Sequence, residues 1–160
     1  MPKEVSLETL KQIPLFSSLS DDEAVFIAAR LSFEHHKAAD TIFEENSDGD
    51  KFYILTKGRV RISKGIGESQ KTLAILAPGD FFGEIALIDR GRRSATATAL
   101  ESTSLVTLSA DAFQRLIDEN GSSAAKFLRA ILFTLCKRIR ATNEHLIDVL
   151  AWSLSDSHHQ

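Results

Sequence analysis

The feature that most constrains the fold is a series of short apolar segments between residues 33 and 108. Residues 52–55 and 73–76 are apolar runs, and residues 59–63 alternate between polar and apolar side chains with the period of a half-buried strand. Turn-forming residues separate these segments at residues 47–50, 57–58, 65–67 and 78–80. Short strands at this spacing predict a β-sandwich, a roll or a barrel.

Helical patterns flank the strand-rich region, so the predicted fold class is α+β. The first 31 residues favour helices, and Ser20 and Glu23 have the spacing of a capping box. After a last strand over residues 103–108, a short helix is predicted to Ile117, and Gly121 is expected to break it. Ser122 or Ser123 is then expected to cap the final helix.

The final helix, predicted over residues 122–152, carries an apolar stripe with heptad spacing. Its members are Leu128, Leu135 and Val149 at one heptad position, and Leu132, Ile139 and Leu146 at the other. A stripe sustained over about four heptads predicts a coiled-coil contact with a second copy of the chain. The alternative is a helix that lies along its own β-domain. We therefore divide the chain into a β-domain with N-terminal helices (1–121), a dimerisation or lid helix (122–152) and a flexible tail (153–160).

Composition excludes several classes of function. The net charge of −3 gives no general attraction to nucleic acid, and the single Cys136 cannot form an intrachain disulfide or an iron–sulfur site. The sequence shows no signal peptide and no membrane span, so we expect a cytoplasmic protein without a membrane partner. We expect no enzyme and no metal site, because there is no His-x-His pair and no nucleophile–base pair; His35 and His36 are predicted to be solvated strand residues.

The segment that carries chemistry runs from Phe81 to Ala99. Gly83 permits a close backbone approach to a ligand, and a short helix starting there points free N–H groups toward an anion. Arg93 follows and can hold the same anion through two N–H groups of its guanidinium. Glu84 can accept a hydrogen bond from a sugar hydroxyl, and Ser94 can donate one. Together these groups match a ribose cyclic phosphate.

The sequence FGEIALI followed by DRGRRSATATA resembles the phosphate-binding cassette of the cyclic nucleotide-binding domain family. The resemblance extends over about residues 8–152 and implies an antiparallel β-roll (double-stranded β-helix or jelly roll) between N-terminal helices and a long C-terminal helix. It implies that Glu84 holds the ribose 2′-hydroxyl, and that Arg93 and Ser94 hold the cyclic phosphate. Arg92 stands where the family often has proline. The ligand-binding residues implied within this cassette are Phe82, Gly83, Glu84, Ile85, Ala86, Arg93, Ser94 and Ala95.

The final helix resembles the dimer helix of the bacterial catabolite activator branch of the same family. In that branch a Thr from one subunit and a Ser from the partner reach the adenine. Thr142 matches the Thr and Asn143 replaces the Ser, which implies that both contact the base. The alternative is that this polar break in the apolar stripe sets the register of the helix pair.

The resemblance implies a stand-alone sensor that binds cyclic AMP, or cyclic GMP, needs no cofactor and signals by moving its C-terminal helix. The expected partners are a second copy of the chain and an unidentified effector protein. No direct DNA binding is expected, because no helix-turn-helix follows the helix before Gln160. The alternative is a ligand-silent adaptor in which Glu84 and Arg93 form a structural ion pair.

Overall fold

The structure, a computed structural model, describes residues 6–156, with Ala86 and residues 153–156 described by their backbone alone. The N-terminal part contains helix α1 (Leu7–Lys11), a short 3-10 helix (Pro14–Phe16) and helix α2 (Asp21–Ala28). The predicted capping box is confirmed: the Ser20 hydroxyl accepts from the Glu23 N–H, and the Glu23 carboxylate accepts from the Ser20 N–H. The predictions for residues 1–5 and 157–160 lie outside the described residues.

Eight strands form two four-stranded antiparallel sheets. Their bounds are β1 (Ser32–His36), β2 (Thr41–Phe43), β3 (Lys51–Lys57), β4 (Val60–Ile66), β5 (Ser69–Leu76), β6 (Phe81–Phe82), β7 (Thr96–Ala99) and β8 (Thr103–Ser109). One sheet has the order β1-β8-β3-β6 and the other has the order β2-β7-β4-β5. The prediction of an α+β fold built on an antiparallel β-roll is confirmed.

The turn after β4 lies later than the sequence predicts. The sequence predicts a turn at Gly65 and Ile66, but these residues belong to β4 and pair with Gln70 and Ser69 of β5. The chain reverses at Gly67, whose φ of +60° is the left-handed conformation that glycine adopts at little energetic expense. The pairing of β4 with β5 thus outweighs the local turn preference of the Gly-Ile-Gly sequence.

Three helices complete the fold: α3 (Ile85–Ile88), α4 (Ala110–Glu119) and α5 (Gly121–Asp156). The break between α4 and α5 falls at Asn120 rather than Gly121, which is the first residue of α5. The Asn120 side-chain oxygen accepts from the Ser123 N–H at 3.1 Å, so Asn120, and neither predicted serine, caps α5. Helix α5 also continues to Asp156, into the segment expected to be a flexible tail.

The first half of α5 is anchored in the core, whereas the second half is exposed. The fully buried ring of Phe127 lies 5.6 Å from that of Phe16 and 6.1 Å from that of Phe52, between centroids. Beyond the half-buried Arg138, every α5 residue through Trp152 is exposed in the single chain. With 36 residues, α5 is about 54 Å long at ~1.5 Å per residue. No helix in the described part of the chain is long and apolar enough to cross a membrane.

Candidate functional site

A cavity of about 190 Å³ opens between the β-roll and α5. Its wall is formed by the segment that joins β6 to β7, by the inner faces of β4 and β5, and by one side chain of α5. The lining residues are Phe43, Ile62, Ala74, Leu76, Phe82, Gly83, Glu84, Ile85, Gly91, Arg92, Arg93, Ser94, Ala95 and Arg138. One side of the cavity is therefore apolar, and the other carries the polar groups of the predicted cassette.

Gly83 occupies a position where a side chain would collide with the site. Its φ is +72°, and a Cβ built on its backbone would lie 2.7 Å from an Arg93 guanidinium nitrogen and 3.2 Å from the Tyr53 ring. Backbone and side chains thus approach each other closely here, as the sequence predicts for Gly83.

Arg93 lies at the base of the cavity and is only 5% exposed. Its Nη1 donates to the Gly83 carbonyl oxygen at 3.4 Å, a long hydrogen bond, and its buried Nε has no hydrogen-bond partner. No ion pair among the described residues includes Arg93. The structural ion pair with Glu84, considered above as the alternative, is therefore not formed. A buried guanidinium without a carboxylate partner can accept an anionic ligand.

Burial governs the titration behaviour of this part of the molecule. Burial lowers the pKa of the Arg93 guanidinium, and the nearby Tyr53 and Asp50 oppose that shift. Burial also raises the pKa of the Tyr53 hydroxyl. Because the usual pKa of arginine is so high, Arg93 keeps its positive charge at neutral pH.

The two other polar groups of the cassette stand on either side of Arg93. Glu84 is half-buried and precedes α3, and its side chain lines the cavity. Ser94 is exposed, and its carbonyl oxygen accepts from Lys64 Nζ at 2.9 Å. Lys64 also pairs with Glu45 at 3.2 Å, so β4 restrains the chain immediately after Arg93.

The structure brings most of the residues predicted for the cassette to this one cavity. Those that line it are Phe82, Gly83, Glu84, Ile85, Arg93, Ser94 and Ala95. Ala86 lies in α3 by its backbone. Thr142 and Asn143 are exposed on α5 and do not line the cavity in the single chain; the Thr142 hydroxyl donates to the Arg138 carbonyl at 2.9 Å.

Sequence reasoning missed two cavity residues that carry specific contacts. Arg138 of α5 donates to the Phe81 carbonyl at 2.8 Å, and its guanidinium carbon lies 4.6 Å from the centre of the Phe81 ring. Phe43 of β2 lies beneath Arg93. The sequence could have indicated Arg138, because it lies four residues before Thr142 and therefore on the same side of the helix. No local signal marked Phe43.

The two histidines of β1 are not part of this site. His36 Nε2 lies 3.2 Å from a Glu34 oxygen, and Lys51 donates to the other Glu34 oxygen at 2.9 Å. The Glu34 carboxyl is half-buried, which by itself raises its pKa, but its hydrogen bonds to Lys51 and His36 leave that pKa lower than usual. Among the described residues, no group of three or more His, Cys, Asp or Glu side chains could hold a metal ion.

Comparison with known proteins identifies the same region. Residues 33–120 match the family model described as "Cyclic nucleotide-binding domain". A "CRP-like cAMP-activated global transcriptional regulator" of Mycobacterium tuberculosis is 27% identical over 144 residues, which cover 89% of this chain and 62% of that protein. The "Cyclic AMP receptor protein" of Thermus thermophilus is 34% identical over 109 residues, or 68% of this chain and 50% of that protein. The chain thus spans little more than half the length of these relatives.

Solved structures agree with this match. The crystal structure of a cyclic nucleotide-binding domain from Methylobacillus flagellatus superimposes with a TM-score of 0.79 at 26% identity, and the match covers 88% of this chain and 80% of that one. The matched region includes both sheets and the cassette, since the family model extends from β1 into the end of α4. This chain therefore belongs to the cyclic nucleotide-binding domain family.

Proposed function

We propose that this chain is a non-catalytic sensor that binds a cyclic nucleotide, with cyclic AMP preferred, in the cavity around Arg93. The observation that carries the proposal is the buried Arg93 guanidinium, which has no carboxylate partner in the described part of the chain and an unpartnered Nε. Burying such a cation without an anion is unfavourable, and a bound phosphate would supply the missing charge. The names of the bacterial relatives, which refer to cyclic AMP, support this choice of ligand.

In this proposal each cassette group has one task. Arg93 and Ser94 hold the cyclic phosphate, and Glu84 accepts a hydrogen bond from the ribose 2′-hydroxyl. Phe82, Gly83, Ile85 and Ala95 shape the wall around the sugar and the phosphate, and Ala86 belongs to the same cassette by its sequence. The apolar faces of β4 and β5 lie on the opposite side, where a purine ring would bury its surface.

Isothermal titration of the purified protein with cyclic AMP, cyclic GMP and 5′-AMP tests the proposed function. We expect micromolar or tighter binding of cyclic AMP, weaker binding of cyclic GMP and much weaker binding of 5′-AMP. The comparison with 5′-AMP controls for recognition of adenine alone, because only the cyclic ring is opened. If folded, ligand-free protein binds neither cyclic nucleotide, the chain is instead a ligand-silent adaptor that acts through contacts made by α5.

Arg138 offers a route from the cavity to α5. Its side chain lines the cavity and donates to the Phe81 carbonyl of β6, immediately before the cassette. A ligand that displaces or strengthens this contact changes the relative free energies of two placements of α5 against the β-roll. The shift in helix position is limited to the difference in ligand affinity between the two positions.

Thr142→Ala is expected to weaken cyclic AMP binding about 3- to 10-fold, as for the loss of one hydrogen bond, and to reduce the preference over cyclic GMP. Thr142 lies four residues after Arg138, about one helical turn farther from the cassette. Titration with both nucleotides measures the change, and Ala141→Ser, which adds a hydroxyl about 100° around α5 from Thr142, is the control. If the affinity and the base preference are both unchanged, Thr142 does not contact the base and only sets the register of the helix pair.

The exposed half of α5 supports a homodimer. Leu132, Ile139, Leu146 and Leu150 lie on one side of the helix and are each 52–59% exposed in the single chain. A helix with such a stripe is marginal in water by itself, and packing against a second copy would cover the stripe. Asn143 lies on the same side, three residues before Leu146, where it would face the partner subunit.

Leu146→Glu is expected to convert a dimer into a monomer, because it would bury a carboxylate in an apolar helix pair. Sedimentation equilibrium measures the mass of the assembly. Ala141→Glu adds the same charge on the opposite side of α5 and should leave the assembly unchanged. A wild type that is monomeric at high protein concentration, or a Leu146→Glu variant that remains dimeric, would contradict an α5 interface.

A further inference from the structure

The guanidinium of Arg93 is held mainly by aromatic rings. Its central carbon lies 4.1 Å from the centre of the Phe43 ring and 5.4 Å from that of Tyr53. Both distances fall within the range of a cation–π interaction. Within the described residues, the only hydrogen bond that the Arg93 guanidinium donates to a backbone carbonyl is the long one to Gly83.

The Phe43 ring is itself fixed by a cluster of aromatic side chains. Its centroid lies 5.6 Å from that of Tyr53 and 5.8 Å from that of Phe82. Tyr53 and Phe82 stack on each other at 5.1 Å with an angle of 8° between their planes. The three rings come from β2, β3 and β6, so the cluster joins the two sheets next to the cavity.

An aromatic support differs from a carboxylate in its effect on a ligand. A carboxylate would neutralise the guanidinium and occupy two of its N–H donors, so a phosphate would have to displace it. An aromatic face attracts the cation through the ring quadrupole while the N–H groups in the guanidinium plane remain available. Support by Phe43 therefore orders Arg93 before the ligand arrives and leaves its charge and its donors for the anion.

We propose that Phe43 is a positioning residue for anion binding, which holds Arg93 in its binding orientation by stacking beneath the guanidinium. This inference rests on the proposed function and adds to it a residue outside the cassette sequence. It predicts that the ring face of Phe43 matters for affinity, and not only its apolar volume.

Titration of two Phe43 variants with cyclic AMP tests the role of the ring face. Phe43→Leu keeps an apolar side chain but removes the ring, and we expect a 3- to 30-fold loss of affinity, which corresponds to about 0.7–2 kcal/mol. Phe43→Tyr keeps the ring and should bind within about threefold of the wild type. The matched control is Phe26→Leu, because Phe26 is also half-buried and lies 3.8 Å beneath Arg30, away from the cavity. This control should not change the affinity.

A measurement on ligand-free protein tests the stacking directly. The Arg93 Nε–H, identified in nitrogen–proton NMR spectra by its loss in Arg93→Met, should be shifted upfield by the Phe43 ring and protected from exchange with water. Phe43→Leu should abolish the ring-current shift, and Phe43→Tyr should retain it. If Phe43 had a purely structural role, its substitution would change the thermal unfolding midpoint, but the Arg93 signal would be the same in Phe43→Leu and Phe43→Tyr.

The outcomes separate this inference from the proposed function. If Arg93→Met loses binding while Phe43→Leu binds as the wild type does, the proposed function stands and the role of Phe43 is overturned. An unchanged Arg93 signal in Phe43→Leu would overturn it as well. A wild type that binds neither cyclic nucleotide would overturn both. The positioning role is supported if Phe43→Leu binds cyclic AMP more weakly and loses the ring-current shift, while Phe43→Tyr keeps both the affinity and the shift.

Discussion

Replacing Arg93 with alanine is expected to lower the affinity for cyclic AMP by about 10- to 150-fold or more, because charge-assisted hydrogen bonds to a buried phosphate are each worth about 1.5–3 kcal/mol. In the ligand-free structure the guanidinium is only 5% exposed and has no carboxylate partner among the described residues. Its interactions with an anion are therefore formed only when the ligand binds. Isothermal titration measures the change.

The same substitution should not unfold the protein. A buried guanidinium with an unpartnered Nε is unfavourable in the folded state, so removing the charge offsets the loss of packing. Arg93→Met, which keeps an apolar side chain over Phe43, should unfold at the wild-type temperature or above it. Arg59→Ala is the control, since Arg59 is exposed beside Glu101 and does not line the cavity. If folded Arg93→Met binds cyclic AMP within threefold of the wild type, the phosphate is not held by Arg93.

Phe127→Ala is expected to reduce the free energy of unfolding by about 3–5 kcal/mol, the usual effect of truncating a fully buried Phe. Phe127 has no exposed surface and contacts three other rings, those of Phe16, Phe52 and Phe113. These rings belong to the N-terminal 3-10 helix, to β3 and to α4, so the substitution weakens the packing of α5 against all three elements. Urea denaturation monitored by circular dichroism measures the loss.

Phe133→Ala on the same helix is the matched control. Phe133 is 63% exposed, so truncation should change the free energy of unfolding by no more than about 0.5 kcal/mol. A loss below 1 kcal/mol in Phe127→Ala would show that α5 is not anchored through this ring.

Local patterns in the sequence were sufficient for most of the secondary structure. The capping box at Ser20, the alternation over residues 60–63 and the apolar run over residues 52–55 all lie in the elements that they predict. Each of these patterns depends on neighbours a few residues away, which the sequence displays directly. The errors occurred where a longer-range interaction competes with a local preference. Gly65 was drawn into β4 by its pairing with β5, and the Asn120 amide, rather than a serine, caps α5.

The candidate site was predictable only where its residues are contiguous in the chain. The cassette from Phe82 to Ala95 follows one ordered sequence, and the chemistry of Gly83, Glu84 and Arg93 can be inferred from residue type and spacing. Phe43 and Arg138 come from β2 and α5, far from the cassette in the chain, and nothing near them marks a ligand. Thr142 and Asn143 pose a different problem, because the cavity of a single chain does not include them. Their proposed contact with the base depends on ligand binding and, for Asn143, on a second chain.

The sequence by itself determined the alternation of helices and strands, the position of the cassette sequence and the apolar stripe of α5, because these features arise from short-range geometry. Only the tertiary structure decided the state of Arg93. The sequence favoured a ligand-binding Arg93 but left an ion pair with Glu84 open as the alternative. Closure of the two sheets buries the guanidinium against Phe43 and Tyr53, with no carboxylate within ion-pairing distance among the described residues. Whether Arg93 is ion-paired depends on contacts between side chains that are far apart in the sequence, and only folding brings those side chains together.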